Sequence, residues 1–140
     1  VYLSSSLIYN LIMDETKSLY ELMGEEAGIK KLITRFYDLM ETAPEAKDVL
    51  AVHPKNLKQS REKFFLFLVG WTGGPQTYIE TRGHPALKRR HQPFAIGPKE
   101  RDQWYWCMDK ALDESGYDPE VIAYLKNHFK DATEFLRNRE

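Results

Sequence analysis

The chain has 140 residues, 42% of them hydrophobic and 29% charged, a size and composition that fit one globular domain with a real core and exclude a disordered segment. Its 20 Lys plus Arg against 21 Asp plus Glu give a net charge of -1, which removes the broad basic field that nucleic acid or an anionic membrane would select. The single cysteine, Cys107, forms no internal disulfide and supplies no CxxC pair for zinc, so a reducing cytoplasm is the expected compartment.

Val1 to Met13 is apolar and Ser-rich but lacks a basic start, and its apolar part is too short to cross a bilayer. Residues 1–16 read as an N-terminal extension or pre-helix, and 17–140 as the domain. Thr16 is a candidate cap for a short turn carrying Leu19 and Leu22, with Gly24 and Gly28 punctuating the junction that follows. Ile29, Leu32, Ile33, Phe36, Tyr37 and Met40 then recur at helical spacing and predict a long amphipathic helix. Thr42-Ala43-Pro44 breaks it, and His53-Pro54 marks a second boundary. Leu57, Arg61, Phe64, Leu68 and Trp71 form the next stripe, widened by Phe65 and Phe67, until Gly73-Gly74-Pro75 stops it.

Residues 75–86 have no clear period and read as an extended loop. Leu87, His91 and Phe94 follow at i, i+4 and i+7, which predicts an inward imidazole on a short helix that Pro93 curtails. Gly97-Pro98 opens a helix with Trp104, Cys107, Met108, Ala111 and Leu112 on its apolar face, and Gly116 ends it. Asp118-Pro119-Glu120 caps the last stripe, Ile122, Leu125, Phe129, Ala132 and Leu136. No alternating strand pattern or internal repeat appears, so the predicted fold is all-α and single-domain.

The four histidines, His53, His84, His91 and His128, make no HxxxH pair, and no GxSxG elbow or phosphate-cradling loop is present. Zinc, hydrolase and nucleotide chemistry therefore fall away. What remains is an inward histidine and two inward aromatics with a polar handle, Tyr37 and Trp104. By periodicity alone His91 is either a ligand or a hydrogen-bonded core histidine, and Tyr37 and Trp104 are either donors or plain aromatic core.

Four motifs decide between these readings: Gly73-Gly74-Pro75-Gln76-Thr77-Tyr78, Arg82-Gly83-His84-Pro85, Arg90-His91-Gln92-Pro93-Phe94, and Glu100-Arg101-Asp102-Gln103-Trp104. In this order and at these separations, with Arg35-Phe36-Tyr37 upstream, they closely resemble the truncated, two-over-two haemoglobins of group II, from about Ser18 onward. The resemblance implies a globin-like helical sandwich around haem b, with His91 as the proximal iron ligand through neutral Nε2. It implies Arg90 near the haem propionates and Phe94 on the proximal side, although Arg90 also reads as a solvated charge and Phe94 as ordinary core. On the distal side it implies Tyr37 and Trp104 as hydrogen-bond donors to the bound gas. His53 stands where relatives often carry Tyr or Phe, which leaves the number of donors open, and it also reads as a solvent-facing turn residue. Ser60 and Phe64 map to the ligand-facing side of the distal helix.

The expectation is a haem protein that reversibly binds oxygen, carbon monoxide and nitric oxide, draws on an unknown reductant, and is a monomer or homodimer with no nucleic-acid or membrane partner. Nitric oxide dioxygenase or peroxidase turnover at the same haem is the enzymatic alternative. A haem-free helical interaction domain is the rival of a different class.

Overall fold

The computed structural model describes residues 17–140, which leaves the reading of residues 1–16, and of Thr16 as a cap, outside the described residues. Helices are α1 (Leu19–Leu22), α2 (Glu25–Thr42), α3 (Lys47–Ala51), α4 (Lys58–Trp71), α5 (Thr77–Arg82), α6 (Leu87–His91), α7 (Pro98–Asp113) and α8 (Pro119–Leu136), with a short 3₁₀ turn at Pro44–Ala46 before α3. No strand occurs among the described residues. None of their helices is long and apolar enough to cross a membrane.

Local chemistry sets the boundaries. The hydroxyl of Ser18 accepts the backbone N–H of Glu21 while the Glu21 carboxylate accepts the N–H of Ser18, a reciprocal cap that starts α1. Gly24 takes φ +88° at the corner into α2, a left-handed turn that glycine makes without a Cβ clash. Gly28 lies inside α2, where a Cβ would come 1.8 Å from the Met23 carbonyl oxygen. It serves close approach of the two helices, rather than punctuation.

The periodic stripe of α2 is buried as its spacing predicts, from Ile29 through Phe36 and Tyr37 to Met40. That face packs on α4 and α7, and α7 packs in turn on α8. The α2–α4 pair thus lies over the α7–α8 pair, and Phe36, Leu68, Met108, Leu112 and Leu125 fill the space between them. Burying such side chains supplies about 1.5 to 3 kcal/mol each relative to exposure.

Two expectations need correction. Residues 75–86 are not wholly an extended loop, because Thr77–Arg82 forms α5. Its single buried residue, Tyr78, is too little apolar signal for a period, and the helix is fixed by distant contacts such as Phe67, whose ring lies 5.9 Å from that of Tyr78. The stripe through Phe94 also fails, since α6 ends at His91 and Phe94 sits beyond it, 42% exposed. No residue of α6 is buried, so His91 is half-buried at the edge of the core rather than inside it.

Candidate functional site

Tyr37 projects from the buried face of α2 and is only 4% exposed. Its phenol donates to the Ser60 carbonyl at 3.3 Å. Burial pushes its pKa well above the ordinary tyrosine range, against the opposing effect of Arg61, so it is a neutral O–H donor at every physiological pH. Its ring meets Phe36 edge-on at 4.8 Å, and Phe64 and His53 at 6.3 Å each.

Trp104 enters from α7, half-buried, with its ring 4.8 Å from Phe36, 5.9 Å from Phe64 and 5.7 Å from Phe129. Its indole N–H makes no hydrogen bond to a described residue. Ser60 is half-buried in the first turn of α4, and Phe64 lies one turn further along the same helix. The structure thus brings Tyr37, His53, Ser60, Phe64 and Trp104 into one aromatic-walled cluster.

His53 is half-buried in the turn after α3 rather than facing solvent, and its Nδ1–H donates to the Val49 carbonyl at 2.8 Å. Burial lowers its pKa, the hydrogen bond to Val49 opposes this, and charge on His91 lowers it further. The two imidazoles, one before α4 and one at the end of α6, therefore lie within electrostatic reach of each other.

His91 has its own lock. Nδ1 lies 2.6 Å from the carbonyl oxygen of Leu87, one turn earlier. A carbonyl only accepts, so Nδ1 carries a proton, and in the neutral ring the lone pair is on Nε2. Arg90 is exposed, yet its guanidinium lies along α5, donating to the Tyr78 hydroxyl at 3.0 Å and to the carbonyls of Arg82 and His84 at 3.3 and 3.0 Å. Arg90 thus remains a surface charge while also tying α6 to α5. Tyr78 is a participant that sequence reasoning quoted within a motif but gave no role. His84 also joins the loop, its Nδ1 accepting the N–H of Ala86 at 2.9 Å.

These residues fit a haem. One imidazole keeps Nε2 free of any hydrogen bond to a described residue, the orientation that a second hydrogen bond typically imposes on a metal-bound histidine. Elsewhere in the fold, Phe64 and Phe67 are half-buried beside the core, Phe94 follows His91 exposed, and Phe64 walls the donor cluster of Tyr37 and Trp104, a combination of apolar walls with a few placed polar groups.

Comparison with known proteins agrees. A family model described as bacterial-like globin matches residues 18–138. A group 2 truncated haemoglobin of Bacillus subtilis is 36% identical over 106 residues, covering 76% of this chain and 77% of that protein. Among solved structures, the group II two-on-two haemoglobin of Agrobacterium tumefaciens is similar at 40% identity, with TM-score 0.88 over 92% of this chain and 100% of that one. A cold-adapted truncated haemoglobin of Pseudoalteromonas haloplanktis is 41% identical, with TM-score 0.86 over 89% of this chain and 100% of that chain. The chain belongs to the bacterial-like globin family, among the group II truncated haemoglobins, a membership that implies a haem cofactor and the binding of oxygen and related diatomic gases.

Proposed function

We propose that the chain holds haem b through Nε2 of His91 and retains oxygen by donors from Tyr37 and Trp104, in the service of redox or detoxification chemistry rather than bulk transport. The observation that carries this reading is the pairing of a tautomer-locked His91, Nδ1 to Leu87 O at 2.6 Å, with a buried donor cluster centred on Tyr37.

Haem, when bound, supplies an iron that takes up a diatomic gas and polarises it. The protein's part is positional and electrostatic. His91 presents a neutral nitrogen base whose direction is fixed by its own helix. Tyr37, held neutral by burial, and Trp104, which has no competing partner among the described residues, present an O–H and an N–H to negative charge that develops on the gas. Phe36 and Phe64 exclude water from the space between these donors, which strengthens their interaction with such charge. His53 adds a second imidazole at the rim, its Nδ1 proton committed to Val49 and its other nitrogen free to accept or donate as its protonation dictates. Arg90 and Phe94 are proposed to border the cofactor on the side of His91.

Titrating the purified chain with haemin tests this directly. One haem per chain, with a ferrous spectrum of a single axial histidine and an oxygen complex that decays slowly, is the expected result. Sustained turnover of nitric oxide or peroxide with a supplied reductant would place the enzymatic alternative ahead of retention. A chain that takes up no haem would favour the helical interaction domain.

A further inference from the structure

We infer that Asn138, in the segment after α8, is a positioning residue for His91: it clamps the end of the helix that carries the proximal imidazole. The inference rests on the haem reading above. Helix α6 has only five residues, no side-chain cap and no buried residue, so neither helix propensity nor core packing holds it. Its last carbonyls belong to the group that a helix leaves without internal partners.

The Asn138 amide meets that need. Nδ2 donates to the carbonyls of His91 at 3.2 Å and Phe94 at 2.9 Å, one for each of its two protons. Oδ1 accepts the backbone N–H of Ile96 at 3.0 Å. The backbone of the same residue donates to Ile96 O at 2.8 Å, and that of Arg139 donates to the same oxygen at 3.1 Å. A side chain 47 residues away in sequence thus fixes the chain on both sides of the turn that follows His91. α6 is tied separately by side chains of its own, Lys88 Nζ to Phe135 O at 2.9 Å near its start and the Arg90 contacts to α5 beside His91.

The geometry makes the assignment selective. Replacing the side chain removes three hydrogen bonds to the 91–96 segment but leaves both backbone bonds to Ile96, so the segment keeps its place while losing its grip on the helix end. Asn138→Ala deletes donors and acceptor together. Asn138→Asp keeps the acceptor for Ile96 and turns an acceptor oxygen toward two carbonyls, a repulsive arrangement. Neither change touches Tyr37, Trp104 or the Nδ1 bond of His91.

The experiment uses the full haem-loaded chain as wild type, Asn138→Ala, Asn138→Asp and Arg101→Gln. The last breaks an exposed ion pair between α7 and α8 that does not contact the 91–96 segment. The iron–histidine stretching band of the ferrous form and the rate of haem transfer to an excess of apomyoglobin are measured, with helical circular dichroism as a fold check. Both Asn138 variants are expected to shift or broaden the band and to lose haem about tenfold faster, the effect of one or two hydrogen bonds. Arg101→Gln is expected to leave the band unchanged. Wild-type band position and width in both Asn138 variants would overturn the inference, as would loss of helical structure in them, which would assign Asn138 to folding at large. Absence of an iron–histidine band from the wild type itself would instead remove the haem reading, and the inference with it.

Discussion

The phenol of Tyr37 in α2 donates to the carbonyl of Ser60 in α4 across 3.3 Å, at the long end of a hydrogen bond. A bond this long is easily exchanged for a better acceptor. The phenol therefore stabilises the fold weakly, and under the proposed function it turns its proton toward bound gas. Tyr37→Phe should change stability by no more than about 1 kcal/mol yet speed oxygen release about tenfold, because the donor to a charged acceptor is lost. Trp104→Phe should act in the same direction. Stopped-flow displacement of oxygen by carbon monoxide measures this, and unchanged release in both variants would remove the retention role.

Gly28→Ala should be strongly destabilising. A Cβ there would lie 1.8 Å from the Met23 oxygen and 2.8 Å from its carbon, backbone atoms that cannot step aside as a flexible side chain would. The α1–α2 corner must open, at a cost of about 3 kcal/mol or more. Urea unfolding followed by circular dichroism would register this as a large drop in midpoint, and a midpoint equal to that of wild type would contradict the packing described for this corner.

Cys107 should be chemically silent in the native chain. The thiol is fully buried in α7, and burial pushes its pKa up to about 12, so almost none is thiolate near neutrality. Iodoacetamide at pH 8 should label the urea-unfolded chain within minutes and the native chain orders of magnitude more slowly, as read by intact-mass spectrometry. Comparable rates in both states would show that α7 opens readily.

Acid should destabilise the protein partly through His128. This ring stacks on Trp71 at 4.2 Å, and burial lowers its pKa below 6.5, with Asp131 opposing. Above pH 6.5 the residue is neutral both folded and unfolded and contributes nothing. Below it the unfolded chain takes up a proton that the folded chain resists, so stability falls as pH drops until the depressed folded pKa is passed. His53 has a shift of the same sign. His128→Phe should flatten the decline between pH 6.5 and 5 in thermal unfolding, and an unaltered pH profile would mean that His128 already titrates normally.

Much of the helical frame is legible from spacing alone, because α2 and α8 bury one face each and their apolar residues therefore recur with the helical period. α5 is not, since a six-residue helix with one buried side chain has no period to read. Its existence depends on Phe67 and Arg90, which lie elsewhere in sequence. The reciprocal cap that Ser18 and Glu21 make at the start of α1 is likewise a pairing that residue type alone does not single out. In the site, the resemblance brings out Tyr37, His53 and Trp104 together, and the structure gathers them around Phe64. Asn138 stays invisible at that level, because an asparagine outside any stripe carries no sign of the carbonyls it caps.

The most direct test is the optical spectrum of the haem-loaded ferrous protein, unligated and with carbon monoxide, compared between wild type and His91→Gly with and without added imidazole. The wild type should show a single axial histidine and a normal carbon monoxide complex. The variant should lose that signature and recover it when imidazole fills the space left by the side chain. A His91→Gly protein whose spectra match the wild type without imidazole would mean that another residue holds the iron.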